Sequence, residues 1–260
     1  MNQLYRVFLD GQPLDALSDD IIITGISESS PGIKVKASAK STMLGMHVEG
    51  TARDTLAVEI RLVIIGSGFV HRTETIDRVR GWCRAGWLTT TIRPGKRLFV
   101  QPSALPDIGT LAKSGEVSLT LTAYEMPWWE DETPTTVTIS GNWTGELFTT
   151  GTEDGAACDL LVRNTGSETV NALTVTVHES MFRFTGLALS PGEMLRCTHS
   201  KDGYLRIMIE GADGAGRSAY SMRAPESDDE LETVCGMPNA VTVEADGAVE
   251  TTVEVRGRWT

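Results

Sequence analysis

The pair most suggestive of catalysis in this chain is His178-Glu179. A zinc protease carries H-E-x-x-H on a helix, where both imidazoles bind the metal and the glutamate is the general base. Position 182 holds Phe182 in place of the second histidine, and the stretch around it has the pattern of a strand. The pair therefore predicts a surface or edge position on a strand and no zinc site.

Carboxylates next to glycine offer a second kind of chemistry, cation binding. Asp-Gly occurs at 154–155, 202–203, 213–214 and 246–247. The calcium-loop pattern D-x-[DN]-x-[DN]-G is absent, so these pairs predict type I′ turns, which need a positive φ. The adjacent carboxylates Glu153 and Asp154 would suit a glycosidase pair, but with 35 acidic residues in the chain, chance adjacency explains them.

The remaining catalytic patterns are missing from the sequence. There is no G-x-S-x-G elbow and no phosphate-binding P-loop. The four cysteines, Cys83, Cys158, Cys197 and Cys235, lack the short spacing of a zinc site. They predict reduced, mostly buried thiols, with a Cys197–Cys235 bridge as the open alternative. We therefore expect a protein that is not an enzyme, with no catalytic, cofactor-binding or metal-binding residues.

Charge divides the 260 residues into two halves. Residues 1–130 carry 14 Lys+Arg and 14 Asp+Glu, whereas residues 131–260 carry 9 and 21, a net charge of −12. An acidic surface repels phosphate, which argues against specific nucleic-acid binding by the second half. Trp128–Pro134, between the halves, predicts an extended connector because proline disfavours helix. The domains are predicted as 1–130 and 131–260.

Strand patterns dominate both domains. In the first, Ile21–Ile26, Thr55–Ile65, Trp87–Ile92 and Val117–Ala123 are rich in β-branched and aromatic residues between turn signals. One helix is predicted around Ile76, Val79 and Trp82, with Thr73 as its N-cap and Gly86 as its stop. The second domain is predicted to be all-β, a sandwich or barrel. No secretory signal and no stretch long enough to span a bilayer are visible, so we expect no membrane association.

Two stretches carry a resemblance to a known family. The first is the order of the predicted helix, Gly86-Trp87-Leu88, Arg97–Val100 and a strand that ends in Met126-Pro127-Trp128-Trp129. The second runs from Phe184–Leu189 through Asp202–Leu205 and Cys235–Asn239 to the closing Val253–Trp259. In order and length, the chain resembles the distal tail proteins of long-tailed, non-contractile phages. The two stretches span most of the chain, although no single motif is specific.

The resemblance implies a mainly β fold and a structural function. The first domain would be a β-sandwich or barrel-like wall with one helix and a hairpin arm near 33–53, and the second a galectin-like, jelly-roll-type sandwich. Six copies would form a ring at the virion tail tip, joining the tail tube protein to a tail-tip protein and presenting receptor-binding proteins. The chain would be made in the bacterial host cytoplasm, from a phage or prophage.

Two alternatives stay open at this point. The 33–53 stretch, whose residues are polar and small for a core strand, would otherwise be an exposed loop. The second domain would otherwise act as a carbohydrate-binding module in host adhesion, with saccharide stacking on four aromatic side chains. These are Trp143, Tyr204, Tyr220 and Trp259.

Overall fold

The computed structural model describes residues 4–39, 46–65, 68–107, 115–200, 204–211 and 214–260. The chain separates into two compact units: unit 1 comprises 1–129 with Thr260, and unit 2 comprises 130–259. Both consist mainly of antiparallel strands, which confirms the mainly β fold class. The short strand β10 (Trp129–Asp131) lies at the division.

Unit 1 is built on a sheet with the strand order β2-β1-β7-β8-β9-β6-β3. The bounds of these strands are β1 (Val7–Leu9), β2 (Gln12–Pro13), β3 (Ile21–Glu28), β6 (Leu56–Ile64), β7 (Gly86–Thr90), β8 (Lys96–Ala104) and β9 (Glu116–Ala123). A 3-10 turn, η1 (Leu14–Leu17), follows β2. Every second residue of β6, from Leu56 to Ile64, is buried, as expected of a strand with one face on the core. The hairpin of β4 (Ile33–Ala39) and β5 (Met46–Arg53) forms a separate two-stranded sheet.

The helix α1 spans Phe69–Trp82 and begins earlier than predicted. Its N-cap is Gly68, and Thr73 lies inside the helix, where its hydroxyl donates to the Phe69 carbonyl oxygen at 2.9 Å. The apolar periodicity identified only the turns that face the core, because Phe69 and Val70 are exposed. Within the described residues, no helix has the length and hydropathy to span a membrane.

Gly86, predicted to stop the helix, instead begins β7. A Cβ at this position would lie 2.6 Å from a carboxylate oxygen of Asp10, so any larger residue would displace the Asp10 side chain. The other Asp10 oxygen accepts the N–H of Trp87 at 2.9 Å. Asp10 and Gly11 both have positive φ, 49° and 76°, as a type I′ turn between β1 and β2 requires.

The two tryptophans at the division differ in burial. Trp129 is fully buried, and its indole N–H donates to Glu28 at 2.8 Å, which also pairs with Arg93 at 2.6 Å. Trp128 is half-buried. Trp129 therefore closes the core of unit 1 with its one polar atom satisfied.

Unit 2 is a sandwich of two antiparallel sheets around one core. One sheet has the order β11-β21-β13-β16-β17-β18, with β19 paired to β13, and the other has the order β12-β20-β14-β15. The first contains β11 (Thr135–Ser140), β13 (Gly155–Asn164), β16 (Met194–His199), β17 (Leu205–Glu210), β18 (Gly216–Ser218), β19 (Glu232–Val234) and β21 (Val249–Val255). The second contains β12 (Trp143–Thr149), β14 (Val170–Val177), β15 (Ser180–Leu189) and β20 (Met237–Ala245). A 3-10 turn, η2 (Tyr220–Met222), and a short strand, β22 (Arg258–Trp259), complete the unit.

The Asp-Gly pairs of unit 2 only partly follow the turn prediction. Gly214 has the predicted positive φ, 78°, but Gly155 and Gly247 do not. Gly155 is the first residue of β13, and a Cβ on Gly247 would lie 2.9 Å from Val170, so close packing explains that glycine. The pair at 202–203 and Asp213 lie outside the described residues.

Candidate interaction surfaces

The hairpin β4–β5 of unit 1 exposes several apolar side chains. Its strands pair with each other from Ile33↔Arg53 to Ala39↔Met46, with one register shift after Lys36. The segment 40–45, which the predicted arm also covers, lies outside the described residues. The exposed-loop alternative for the rest of 33–53 is therefore wrong, because the backbone forms a ladder.

The two faces of the hairpin have different chemistry. Alternation along β4 puts Ile33, Val35 and Ala37 on one face, and the register adds Val48 to it. Ile33, Val35 and Val48 are 62%, 56% and 52% exposed. The opposite face carries two lysines, Lys34 and Lys36, which lie across from Ala52 and Gly50.

An ion pair ties the base of the hairpin to the chain that follows it. Lys34 Nζ donates to the Asp54 carboxylate at 2.7 Å. This hydrogen bond, together with the Thr55 backbone N–H, holds the pKa of Asp54 below its usual value. An isolated two-stranded hairpin is marginally stable in water, and a row of exposed apolar side chains marks an interaction surface. The apolar face is therefore a candidate contact surface.

Three of the four aromatic side chains predicted as saccharide platforms are exposed. Trp143 is 63%, Tyr204 73% and Tyr220 56% exposed. Trp259 is half-buried instead, and its indole N–H donates to Asp131 at 3.1 Å. Phe148, which we did not identify from the sequence, is 49% exposed on the same strand as Trp143.

His178-Glu179 forms the two-residue turn between β14 and β15, and His178 has a φ of 54°. The pair is thus at the surface, but in a turn and not on a strand. It lines an open groove of about 760 Å³ with several carboxylates. The acidic residues of the groove are Asp154, Glu179, Asp228, Asp229, Glu230 and Glu232. Among the described residues, no group of three or more His, Cys, Asp or Glu side chains is placed to hold a metal ion.

All four cysteines are free thiols, so the alternative bridge between Cys197 and Cys235 does not form. Burial raises the pKa of Cys83 to about 11 and that of Cys158 to about 12, and it also raises the pKa values of Cys197 and Cys235. A thiol is nucleophilic only as the thiolate. These thiols therefore stay protonated at neutral pH.

Comparison with known proteins rests on structure alone. No protein family model and no curated protein sequence matches the chain. The Dit protein (gp 19.1) of phage SPP1, described as a paradigm of the hub of the adsorption apparatus in phages that infect Gram-positive bacteria, is similar with a TM-score of 0.69. The identity is 12%, and the match covers 98% of this chain and 99% of that one.

A second similar structure comes from the baseplate of phage p2 in its activated conformation with Sr. The TM-score is 0.50 at 8% identity, and 97% of each chain is covered. Both matches extend over nearly the whole chain and so include both units. At these identities the likeness concerns the fold. The chain has the fold of the phage distal tail protein, as its sequence resemblance predicted.

Proposed function

We propose that this chain is a structural hub of a phage tail tip. Six copies form a ring that joins the tail tube protein to the tail-tip protein of the adsorption apparatus. Unit 2 is the outward-facing sandwich that presents receptor-binding proteins. The fold shared with SPP1 Dit over 98% of the chain supports a place in the virion tail.

The observation that carries this proposal is the hairpin β4–β5. The strands β6 and β9 of unit 1 bury alternate residues, yet Ile33, Val35 and Val48 of the hairpin remain exposed. A seven-residue strand reaches roughly 23 Å, enough to extend over a neighbouring molecule. In a ring, the apolar face would be covered by the adjacent copy, and heterologous contacts of this kind close into a ring when the rotation fits.

We also propose that the role is non-enzymatic. The support is chemical: the thiols are held protonated, and His178-Glu179 lies in a turn with Phe182 where a second histidine would be needed. A hub needs contact surfaces, not a nucleophile. Hydrolysis of peptidoglycan or glycoside substrates by the purified chain, abolished by a single substitution, would contradict this part of the proposal.

The test is the native mass of the purified chain, combined with negative-stain images. We expect a hexamer with six-fold rings, and Val35→Asp should shift the mass toward the monomer by placing a charge in an apolar contact. The matched control is Val70→Asp. Val70 is also an exposed valine of unit 1, at 71%, but lies on α1, so this variant should keep the wild-type mass.

Thermal unfolding of both variants separates assembly from folding. A wild-type chain that stays monomeric, alone and with its tail neighbours, would overturn the ring. The ring assignment would also fail if Val35→Asp and Val70→Asp had equal effects on mass, because the hairpin would then have no special part in assembly.

Carbohydrate binding by unit 2 is a second candidate, supported by the exposure of Trp143, Tyr204 and Tyr220. Aromatic faces stack on sugar rings. A glycan array tests this function. Glycan binding that Tyr204→Ala and Tyr220→Ala each weaken would favour this function. An array without signal would contradict it, and only the hub function would remain.

A further inference from the structure

One edge of the four-stranded sheet in unit 2 is open. The strand β12 (Trp143–Thr149) is the terminal strand of this sheet, and in the described part of the chain its ladder is with β20 only. A terminal strand offers unpaired N–H and C=O groups to another chain.

The hydrogen bonds of β20 show which way the backbone of β12 points. The Ala240 carbonyl accepts the N–H of His178, so Ala240 is turned toward β14. Successive residues of a strand point to opposite sides, so Asn239 and Val241 are turned toward β12. Ala245 agrees with this alternation, because its N–H donates to Asn142 on the β12 side at 2.7 Å.

The register then fixes the free groups of β12. Leu147 pairs with Asn239 and Gly145 pairs with Val241, so these residues of β12 are turned toward β20. The N–H and C=O groups of Thr144, Glu146 and Phe148 consequently point to the open edge. Among the described residues, none of these six groups has a hydrogen-bond partner.

The opposite edge of the same sheet is covered. The segment 219–231 runs along β15, where the N–H of Ala224 donates to Arg183 at 2.8 Å and that of Asp228 donates to Met181 at 2.9 Å. Side chains complete the cover, because the Met181 N–H donates to the Asp228 carboxylate and the Arg183 N–H to the Ser227 hydroxyl. Natural sheets protect their edges in this way. The edge of β12, by contrast, has no such hydrogen bonds within the described part of the chain.

The side chains along β12 indicate the chemistry of a segment, the occupant, that could bind at the open edge. Trp143 and Phe148 are 63% and 49% exposed near the two ends, about 16 Å apart along an extended strand. Glu146 lies between them, exposed and without an ion pair in the described part of the chain. Residues 131–260 carry the whole net charge of −12. Complementarity therefore calls for a basic residue opposite Glu146 and apolar residues at the ends.

A second copy of β12 does not fit this description. Two β12 strands paired antiparallel about their centre would bring Glu146 of one copy close to Glu146 of the other. Like charges opposite each other destabilise a strand pair. The occupant that the edge favours is a strand from a different polypeptide.

We propose that β12 is a docking strand, to which an extended segment of another protein adds by β-augmentation with a Lys or Arg opposite Glu146. Backbone hydrogen bonds to Thr144, Glu146 and Phe148 would supply affinity, and the side chains would supply specificity. The proposal rests on the proposed hub function in one respect, that the occupant is taken to be another tail protein.

The test uses the full chain and an array of acetylated heptapeptides. Half carry Lys and half Glu at the centre, with Val, Ile, Leu, Thr or Tyr at the flanks, and the best binders are measured again by fluorescence anisotropy. We expect the central-Lys peptides to bind at least about tenfold more tightly than their central-Glu counterparts. Failure of every peptide to bind at the highest soluble concentration would overturn the proposal.

Three variants identify the site. Thr144→Pro removes an N–H from the open edge and keeps the ladder with β20, so it should weaken the Lys peptides about tenfold. The matched control Thr144→Val keeps that N–H and the branched shape, so its affinity should stay close to that of the wild type. Glu146→Lys changes an exposed side chain and tests the site even where Thr144→Pro fails to fold. It should reverse the preference, so that the central-Glu peptides bind more tightly than the central-Lys peptides.

The outcomes separate this proposal from the hub function. Peptide binding that Thr144→Pro and Glu146→Lys leave unchanged would place the site elsewhere and overturn the proposal. A fall in native mass with Thr144→Pro would mean that a second copy occupies the edge, which also overturns it. Rings without peptide binding would refute only the docking strand, whereas peptide binding without rings would refute only the hub.

Discussion

Two hairpins of similar length in this chain differ in the burial of their apolar side chains. In β14–β15 of unit 2, Val175, Val177, Phe182 and Phe184 are fully buried. In β4–β5 of unit 1, the larger apolar residues Ile33, Val35 and Val48 are exposed. Both sequences form a ladder of backbone hydrogen bonds. The hairpins differ in whether another part of the same chain packs against the apolar face. An alternating pattern therefore predicts a strand with an apolar face, but not which molecule covers that face.

The largest effect of a side-chain truncation is expected from breaking the buried hairpin. Phe182 is fully buried and packs edge-to-face on Phe184, with ring centroids 6.2 Å apart. Phe182→Ala should lower the free energy of unfolding of unit 2 by about 3–5 kcal/mol, because it removes apolar contacts and leaves a cavity. Urea unfolding measures this loss. Tyr204→Ala, at an aromatic residue that is 73% exposed, should change it by less than about 0.5 kcal/mol.

The free energy of unfolding of unit 2 should fall at alkaline pH, because its thiols Cys158 and Cys197 are buried in the core. Burial raises the pKa of Cys158 to about 12 and also raises that of Cys197. Thiols of the unfolded chain ionise near pH ~8.5, so above that pH the folded state binds more protons and the free energy of unfolding falls as pH rises. For two thiols the loss by about pH 9.5 is roughly 2–3 kcal/mol.

Urea unfolding at several pH values measures this dependence. Cys158→Ala should remove about 1 kcal/mol of the loss between roughly pH 8.5 and 9.5, whatever its constant cost at neutral pH. An unchanged slope would show that Cys158 does not keep its proton in the folded state.

An intermediate effect is expected at the covered edge of β15. Arg223 donates to the carbonyl oxygens of Asp228 and Asp229, and its guanidinium lies 5.7 Å from the centre of the Phe182 ring. Arg223→Ala leaves both carbonyls without this donor and should cost unit 2 about 1–3 kcal/mol. Amide exchange should accelerate at Met181 and Arg183, whose N–H groups the 219–231 segment covers. Arg223→Lys, which keeps the charge without the planar fork, should recover only part of the loss.

The sequence predicted the mainly β fold and the existence of α1, because β-branched strands and the 3.6-residue period are local signals. It missed β12 (Trp143–Thr149), where Gly145 and Glu146 interrupt the apolar alternation. The helix start was predicted five residues late, with Thr73 and not Gly68 as the N-cap, since its first turn does not face the core. The contact of Trp129 with Glu28 joins residues 101 positions apart, and no local pattern encodes such a distance.

The candidate surfaces were harder to predict than the fold. The sequence placed an arm at 33–53, through its resemblance, and three exposed aromatics in unit 2, but not the open edge of β12. Exposure is a property of the assembled layers: Val35 and Val58 are both valines in alternating strands, yet one is 56% exposed and the other fully buried. Such a contrast depends on contacts between distant segments.

The smallest effect is expected from Val35→Asp on the stability of unit 1. Because β4–β5 forms its own sheet, separate from the main sheet of the unit, a charge at Val35 should change the free energy of unfolding of unit 1 by no more than about 0.5 kcal/mol. Val58→Asp, which puts the same carboxylate into the core, should instead prevent stable folding. Tryptophan fluorescence during urea unfolding measures both, at a protein concentration low enough for the wild-type chain to be monomeric, because assembly would add to its apparent stability. A cost above about 1 kcal/mol for Val35→Asp would mean that unit 1 itself covers the hairpin, and the two hairpins would then differ only in degree.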